Sequence, residues 1–293
     1  MRDRSRREGV TRLLGRPRYE MIPLTGAEAQ AAHIPAGSTV TVTSSPRRGM
    51  EPTLELIEHL AARGYRAVPH LSARLVEGPG HLREMVERLE AARIREIFVV
   101  GGDPDEPAGP YPSALSLLQA LDEHGHGFEA IGVAGYPEPH PKIEDAKLLQ
   151  ALLEKRPFAT YIVTQMCYSP HAIGTWLERV RAQGVTLPVH VGMPGTVART
   201  KLLEISLRCG VGDSVRYLRK NAGIVARVLG GGKAFHPSGF VAELAGILLP
   251  KGEGRPLHLN TFNQVERTEQ WRREVLGTRL DETAGHSTAE RVP

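Results

Sequence analysis

Apolar and polar positions along this chain alternate in two rhythms. Short β-branched or apolar runs cover residues 19–24, 39–44, 66–71, 96–100, 128–134, 159–165, 187–192 and 256–262, each about the length of one strand. Between these runs the period lengthens. Leu82, Met85, Val86 and Leu89 fall at i, i+3, i+4 and i+7. Ile173, Trp176, Leu177 and Val180 repeat that spacing after the Ser169-Pro170 start signal, so each helix shows one face to a core.

Eight strands separated by helices, with no cluster of hairpin turns, imply parallel pairing through right-handed crossovers. Eight such units in 293 residues close most simply into a (β/α)8 TIM barrel, with an open doubly wound sheet as the alternative. Residues 196–249 exceed what one unit needs and read as two or three extra helices between strands 7 and 8. The expected organisation is a basic flexible tail over 1–17, one catalytic domain over 18–275 and a polar tail over 276–293.

Composition narrows the class. The longest apolar runs, such as 97–100 and 247–249, fall far short of the roughly 18 to 20 residues a bilayer span needs. Only Cys167 and Cys209 are present, so no disulfide framework is expected and a reducing, cytoplasmic setting fits. Arg2, Arg4, Arg6, Arg7, Arg12 and Arg16 crowd the start, but Asp3 and Glu8 interrupt them and no apolar signal core follows. The net charge of +4 is spread along the chain and aromatics are only 5%, which argues against nucleic acid as a partner.

In a barrel of this kind functional side chains sit at the C-terminal ends of the strands. Polar residues gather there: Glu20 in the first run, Thr43 and Ser44 ending the second, His70 the third, Gly101, Gly102 and Asp103 after the fourth. Tyr136, Glu138 and His140 follow the fifth, Gln165 ends the sixth, Met193 and Pro194 follow the seventh, and Asn260 and Asn263 flank the end of the eighth. Any one of these alone reads as a turn or cap residue sooner than as a catalyst; the convergence of all eight is the signal. Glu20, flanked by apolar residues, is expected to point inward with a raised pKa, the condition a general acid needs near neutral pH. Asp103, behind two glycines that let a ligand approach the backbone, suits a ligand hydrogen bond or a turn cap.

Other signals fail on inspection. Gly230-Gly231-Gly232-Lys233 is not a phosphate loop, because Ala234 stands where Ser or Thr would meet magnesium and Arg227 where the first glycine belongs. Gly210-Val211-Gly212-Asp213-Ser214-Val215 lacks the third glycine of a dinucleotide fingerprint and follows no strand. Twelve histidines show no metal-type spacing, so His33, His59, His81, His171 and His236 read as surface or capping residues and no metal is expected.

The strand-end segments Tyr19-Glu20-Met21-Ile22-Pro23, Thr41-Val42-Thr43, Pro69-His70-Leu71, Gly102-Asp103, Gly135-Tyr136-Pro137-Glu138-Pro139-His140-Pro141 and Thr164-Gln165 together resemble the 5,10-methylenetetrahydrofolate reductase family. The likeness runs in order from about residue 18 to about residue 270. It implies a (β/α)8 barrel that passes a hydride from NADH or NADPH through FAD to methylenetetrahydrofolate, giving 5-methyltetrahydrofolate for methionine synthesis. By this resemblance Glu20 is the acid that protonates N10 of the folate, and Asp103 lies between flavin and pterin. Gln165 joins the substrate and nicotinamide stack, and Thr43, His70, Tyr136 and His140 surround the flavin. Ser44, Gly101 and Gly102 belong to the same flavin loops, and Lys155 to the flavin phosphates.

The chain also departs from the family pattern. Lys155-Arg156-Pro157-Phe158-Ala159 lacks the glycine of the phosphate loop, Thr43-Ser44-Ser45-Pro46 replaces Thr-Tyr-Gly, and Gly101-Gly102-Asp103 replaces Arg-Gly-Asp. Asn260 and Gln264 stand where a Tyr and an Arg contact folate. These departures leave two routes open, hydride transfer through FAD or directly from the nicotinamide. A folate-dependent methyl-transfer partner, or a folate-binding protein on the same barrel, is the alternative to a reductase.

Overall fold

Every apolar run forms a strand, and the alternation within it divides two environments. A computed structural model describes residues 2–45, 47–140, 142–196 and 237–277. The 210–215 and 230–233 glycine segments, Cys209, His236, residues 197–236 of the expected extra helices and the C-terminal tail past 277 lie outside the described residues.

The strands are β1 (Arg18–Met21), β2 (Thr39–Val42), β3 (Arg66–Ser72), β4 (Glu96–Val100), β5 (Ala130–Gly135), β6 (Tyr161–Thr164), β7 (Val189–His190), β8 (Gly192–Pro194) and β9 (His258–Asn260). All pairings between them are parallel. β7 pairs with β6, β8 pairs with β9, and β9 returns to β1. Val191, the single residue between β7 and β8, accepts a hydrogen bond from His258 N at 2.9 Å. β7 and β8 therefore act as one stave, and the nine segments close as the eight-stave (β/α)8 barrel that the periodicity predicts.

Helices follow the strands: α1 (Arg2–Leu14), α2 (Ala27–Ala31), α3 (Glu51–Ala62), α4 (Pro79–Ala91), α5 (Ala114–His124), α6 (Asp145–Lys155), α7 (Pro170–Ala182), α8 (Ser238–Leu248) and α9 (Val265–Leu276). Leu82, Met85, Val86 and Leu89 are the buried face of α4, and Ile173, Trp176, Leu177 and Val180 lie on that of α7. The Ser169 hydroxyl caps α7 by accepting from Ala172 N. α8, between β8 and β9, supplies one of the extra helices expected before the last stave. No helix among the described residues is long and apolar enough to cross a membrane.

The first residues correct the expectation of a flexible tail over 1–17. They form α1, with Leu13 and Leu14 fully buried. Val10, Leu13 and Leu14 recur at i, i+3 and i+4, an apolar stripe that the surrounding arginines obscure. Gly9 lets α1 approach the end of α8 closely, since a Cβ there would lie 2.6 Å from Leu249 Cδ1. Leu13 O accepts from Leu257 N at 3.0 Å and Leu14 O from Arg272 Nη1 at 3.0 Å, tying α1 to the chain before β9 and to α9.

Outward strand residues such as Tyr19, Val40, Leu71, Ile97, Val133, Ile162 and Leu259 join the main core between sheet and helices. The inward apolar group is small: Val68, Phe98, Tyr161 and Val163, with Val100, Ala130 and Ala134 against it. The rest of the barrel interior is polar. Near the strand starts, Arg18 Nη2 meets Glu96 Oε1 at 2.7 Å and the Tyr161 hydroxyl at 3.1 Å. Gly132 makes room for the Tyr161 ring, because a Cβ there would lie 2.3 Å from its Cζ.

Candidate active site

Glu20 follows Arg18 by two residues on β1, so period-2 alternation puts both on the inner wall, while Tyr19 and Met21 pack outward. Its register partners are Thr41 on β2 and Asn260 on β9. His258, two residues before Asn260, shares that inner face. The carboxylate is held from β9: Asn260 Nδ2 donates to Oε1 at 2.6 Å, and His258 Nε2 lies 2.8 Å from Oε2. His70 on β3 brings its Nε2 to 3.9 Å from Oε2, with its ring 4.7 Å from that of Phe98.

The loop after β9 locks this arrangement. Thr261 Oγ1 donates to Glu20 O at 2.7 Å, and Asn263 receives Ile22 N on Oδ1 and donates to Ile22 O, both at 2.9 Å. Phe262 and Asn263 adopt left-handed φ of 49° and 58°, strain that this clamp sustains.

Glu20 differs from expectation in its electrostatics. Burial pushes its pKa up, but the His258 hydrogen bond, the neighbouring His258 and His70 imidazoles and the Asn260 hydrogen bond outweigh it, leaving the carboxyl below its ordinary range. The raised pKa expected from apolar flanking residues is thereby corrected: His258 and Asn260, which come from the far end of the chain, supply what the local sequence lacks. His70 is pushed down to about 4 by burial, against the pull of Glu20, and is neutral near pH 7.

At the mouth, Tyr136 and His140 after β5 meet edge to face with centroids 5.5 Å apart. Burial, then the Asp103 charge, pushes the Tyr136 phenol up; burial and the Lys142 charge push His140 down against the pull of Asp103. Asp103 itself lies exposed in the loop after β4. That loop is fastened by Arg74, whose Nε donates to Pro112 O at 2.9 Å and whose Nη1 donates to Pro104 O at 2.8 Å. Gly102 makes a turn at φ 97°, where a Cβ would fall 2.0 Å from Ser72 Oγ; Gly101 O accepts from Arg74 N. Thr43 and Ser44 line the loop after β2, half-buried, with Thr43 O accepting from Thr53 Oγ1 at 2.9 Å. Gln165 follows β6 with its Oε1 accepting from Met166 N at 2.8 Å, and Gln264 stands at the start of α9.

Among the described residues eight buried side-chain polar atoms find no partner, and six of them lie at the strand-end half of the barrel: Thr41 Oγ1, His70 Nε2, Ser72 Oγ, Thr196 Oγ1, Asn260 Oδ1 and Gln264 Oε1. Buried groups of this kind are rarely left unpaired. They are polar groups that a polar ligand at this end of the barrel could engage.

One expected site residue is not brought there. Lys155 is the last residue of α6, which runs back from the mouth to the start of β6, so it sits toward the opposite end of the barrel, buried, with its pKa pushed down to about 8 by desolvation. Glu20, His70 and His258 place donor atoms within 4.8 Å of one another, a set of metal-ligating type. The 2.8 Å contact already engages Glu20 Oε2 and His258 Nε2 with each other, so the group reads as a hydrogen-bonded acid cluster. His258 is the residue that sequence reasoning missed. The signal was its i, i+2 relation to Asn260 within one strand, which places both on the same face.

Comparison with known proteins gives consistent results. A family model described as Methylenetetrahydrofolate reductase matches residues 26–206. Methylenetetrahydrofolate reductase 2 of Saccharomyces cerevisiae is 29% identical over 198 residues, 61% of this chain and 32% of that protein. Methylenetetrahydrofolate reductase 1 of Schizosaccharomyces pombe is 29% identical over 116 residues, 37% of this chain and 19% of that protein. The chain thus spans a third or less of the length of these relatives. Among solved structures, a GH18 chitinase from Pseudoalteromonas aurantia aligns over 88% of this chain and 98% of its own, with 14% identity and a TM-score of 0.48, a likeness too remote to bear on function.

Proposed function

Because the chain belongs to the methylenetetrahydrofolate reductase family, we propose that it reduces the methylene bridge of 5,10-methylenetetrahydrofolate to a methyl group, with a hydride that originates on NADH or NADPH. The observation that carries this reading is the Glu20 carboxyl, held inside the barrel by Asn260 and His258 among unpartnered polar groups. In this reading Glu20 delivers a proton to N10, the C–N bond of the five-membered ring breaks toward that nitrogen, and the resulting iminium carbon accepts the hydride. In this reading Asn260, Ser72, Thr41 and Gln264 meet the edge of the pterin. Tyr136 and His140 offer ring faces, Gln165 orients the stack, and Asp103 sets the field at the mouth. Residues 18–275 act as one catalytic unit, and a cytoplasmic role in methyl supply goes with the reaction.

FAD, when bound, supplies a hydride relay between nicotinamide and folate. Thr43, Ser44, His70, Gly101, Gly102, Tyr136 and His140 suit its ring system. A second reading, direct transfer from the nicotinamide to the folate, is favoured by one observation: Lys155 lies toward the far end of the barrel from these residues and offers no charge to flavin phosphates at the mouth. The test is NADH and NADPH oxidation by the purified protein with methylenetetrahydrofolate, with and without FAD. Folate-dependent oxidation supports the reductase reading, and its dependence on FAD separates the two routes. A folate-binding or methyl-transfer protein on this barrel would bind folate without oxidising either nucleotide.

A further inference from the structure

Three side chains from three strands converge inside the barrel: Glu20 on β1, His70 on β3 and His258 on β9. Their donor atoms, one carboxylate oxygen and two imidazole nitrogens, all lie within 4.8 Å of one another. Neither histidine is a surface residue, with His70 6% exposed and His258 1%. His70 Nε2 is buried without a hydrogen-bond partner and stands 3.9 Å from Glu20 Oε2, so an unpaired nitrogen is aimed into the cluster. Packing against the Phe98 ring, with centroids 4.7 Å apart, holds that imidazole in place.

We propose that this cluster binds one divalent transition-metal ion of the Zn2+ type and, resting on the reductase reading, that the ion shuts off the acid by taking Glu20 as a ligand. Two imidazoles and one carboxylate are a donor set that such ions favour, with a position left open for water. Mg2+ and Ca2+ prefer shells of oxygen alone. Ligand atoms around a tetrahedral ion of this size stand about 3.3 Å apart. The Glu20–His258 contact at 2.8 Å has to open and the Glu20–His70 contact at 3.9 Å has to close, each by roughly half an ångström, which side-chain rotation supplies. The sequence shows no metal-type spacing because the ligands come from strands far apart in the chain.

The 2.8 Å contact between Nε2 and Oε2 is bridged by one hydrogen, and the ion takes that hydrogen's place. A ligating imidazole is neutral, with its lone pair toward the metal and its hydrogen on the other nitrogen. His258 Nδ1 is buried without a partner, so it can carry the hydrogen and no proton has to leave. The want of an acceptor for that N–H weakens the hold, which leaves the ion removable by a chelator. Arg18, the register partner of His258 on β1, has its charge matched by Glu96 at 2.7 Å and does little to repel a cation. Asn260 Oδ1 and Thr41 Oγ1, buried and unpartnered on the two strands in register with Glu20, are available to a water on the ion. A carboxylate bound to the ion can neither hold nor deliver a proton, so metal binding and acid catalysis exclude each other.

The test titrates metal-free wild type with Zn2+ alone by calorimetry, beside His70→Ala and His258→Ala. Expected are one Zn2+ per chain in the wild type and an affinity lower by about a hundredfold or more in each variant. A wild type that takes up no Zn2+, variants that bind it as tightly, or Mg2+ bound as well as Zn2+ would each overturn the site. A second measurement does not depend on a variant folding. In wild-type crystals soaked with Zn2+, anomalous scattering should place the ion about 2.0 to 2.2 Å from Glu20, His70 and His258; an ion found only elsewhere refutes the assignment. The link to catalysis is read separately, as folate-dependent nucleotide oxidation by the wild type, which saturating Zn2+ should abolish and a chelator restore. Turnover that persists with the ion on these three residues overturns the exclusion. If the metal-free wild type oxidises no nucleotide while Zn2+ binds there, the reductase reading fails and the metal site stands.

Discussion

Glu269 lies on α9, outside the barrel, yet it fixes the strand that carries Glu20. Its carboxylate accepts the Tyr19 hydroxyl at 2.6 Å, Arg272 Nε at 2.7 Å, Arg272 Nη2 at 2.8 Å and Arg273 Nε at 2.9 Å, with a side chain 3% exposed. Arg272 continues to the Leu14 and Gly15 carbonyls at 3.0 and 3.3 Å, so one carboxylate joins α1, β1 and α9. Glu269→Ala leaves a buried guanidinium without its counter-ion and a buried phenol without its acceptor, which costs about 3 to 5 kcal/mol of folding free energy. Tyr19→Phe removes one hydrogen bond to a charged group and costs about 1.5 to 3 kcal/mol. The double variant falls short of their sum because the two residues share a network.

Burial pushes the Glu269 pKa up, but the hydrogen bonds from Arg272 and Tyr19 and the Arg272 charge bring it below its ordinary value. The stabilisation is therefore present above the unfolded glutamate pKa of about 4.3 and is lost as pH falls through the lower folded value. Urea denaturation from pH 3 to 7 reads both effects, through the midpoint at constant slope. A cost below about 1 kcal/mol for Glu269→Ala at pH 7, or the same acid dependence in wild type and Glu269→Gln, would refute this account of the network.

Further outcomes follow from close contacts and buried charge. Gly102→Ala places a Cβ 2.0 Å from Ser72 Oγ at a φ of 97°; it should lower turnover by displacing the Asp103 loop while thermal stability falls by no more than about 1 to 2 kcal/mol, read by steady-state kinetics and melting. Gly132→Ala meets the Tyr161 ring at 2.3 Å and should cost about 1 to 3 kcal/mol in denaturant titration. Lys155→Met removes a buried ammonium whose pKa is pushed down to about 8. Wild-type stability should rise with pH between about 8 and 10.4, the unfolded value, and the variant should lack that rise and be more stable at pH 7, with KM for the nucleotide unchanged.

The barrel was legible because each strand carries its own period and each helix its own apolar face. Strands at 66–71, 96–100 and 159–165 and the stripes of α4 and α7 are local patterns, and local patterns survive without a fold. The α1 stripe was hidden by six arginines among sixteen residues, where charge density suggested a tail although Val10, Leu13 and Leu14 had a surface to meet. The positions of Glu20, His70, Asn260 and the Tyr136–His140 pair were legible as strand ends. The state of Glu20 was not, because its pKa is decided by His258, 238 positions away in sequence. Lys155 failed for the reverse reason: motif order carried it to the site, while the direction of α6 carries it away. A cluster assembled from three strands leaves no spacing signal for a reader of the chain to find.

The measurement that bears most directly on the central claim is folate-dependent oxidation of NADH or NADPH by wild type and Glu20→Gln side by side, each first shown to bind folate. Oxidation by the wild type is expected, with a loss of about a hundredfold or more in the variant and folate affinity retained. Near-equal rates in the two proteins would contradict it.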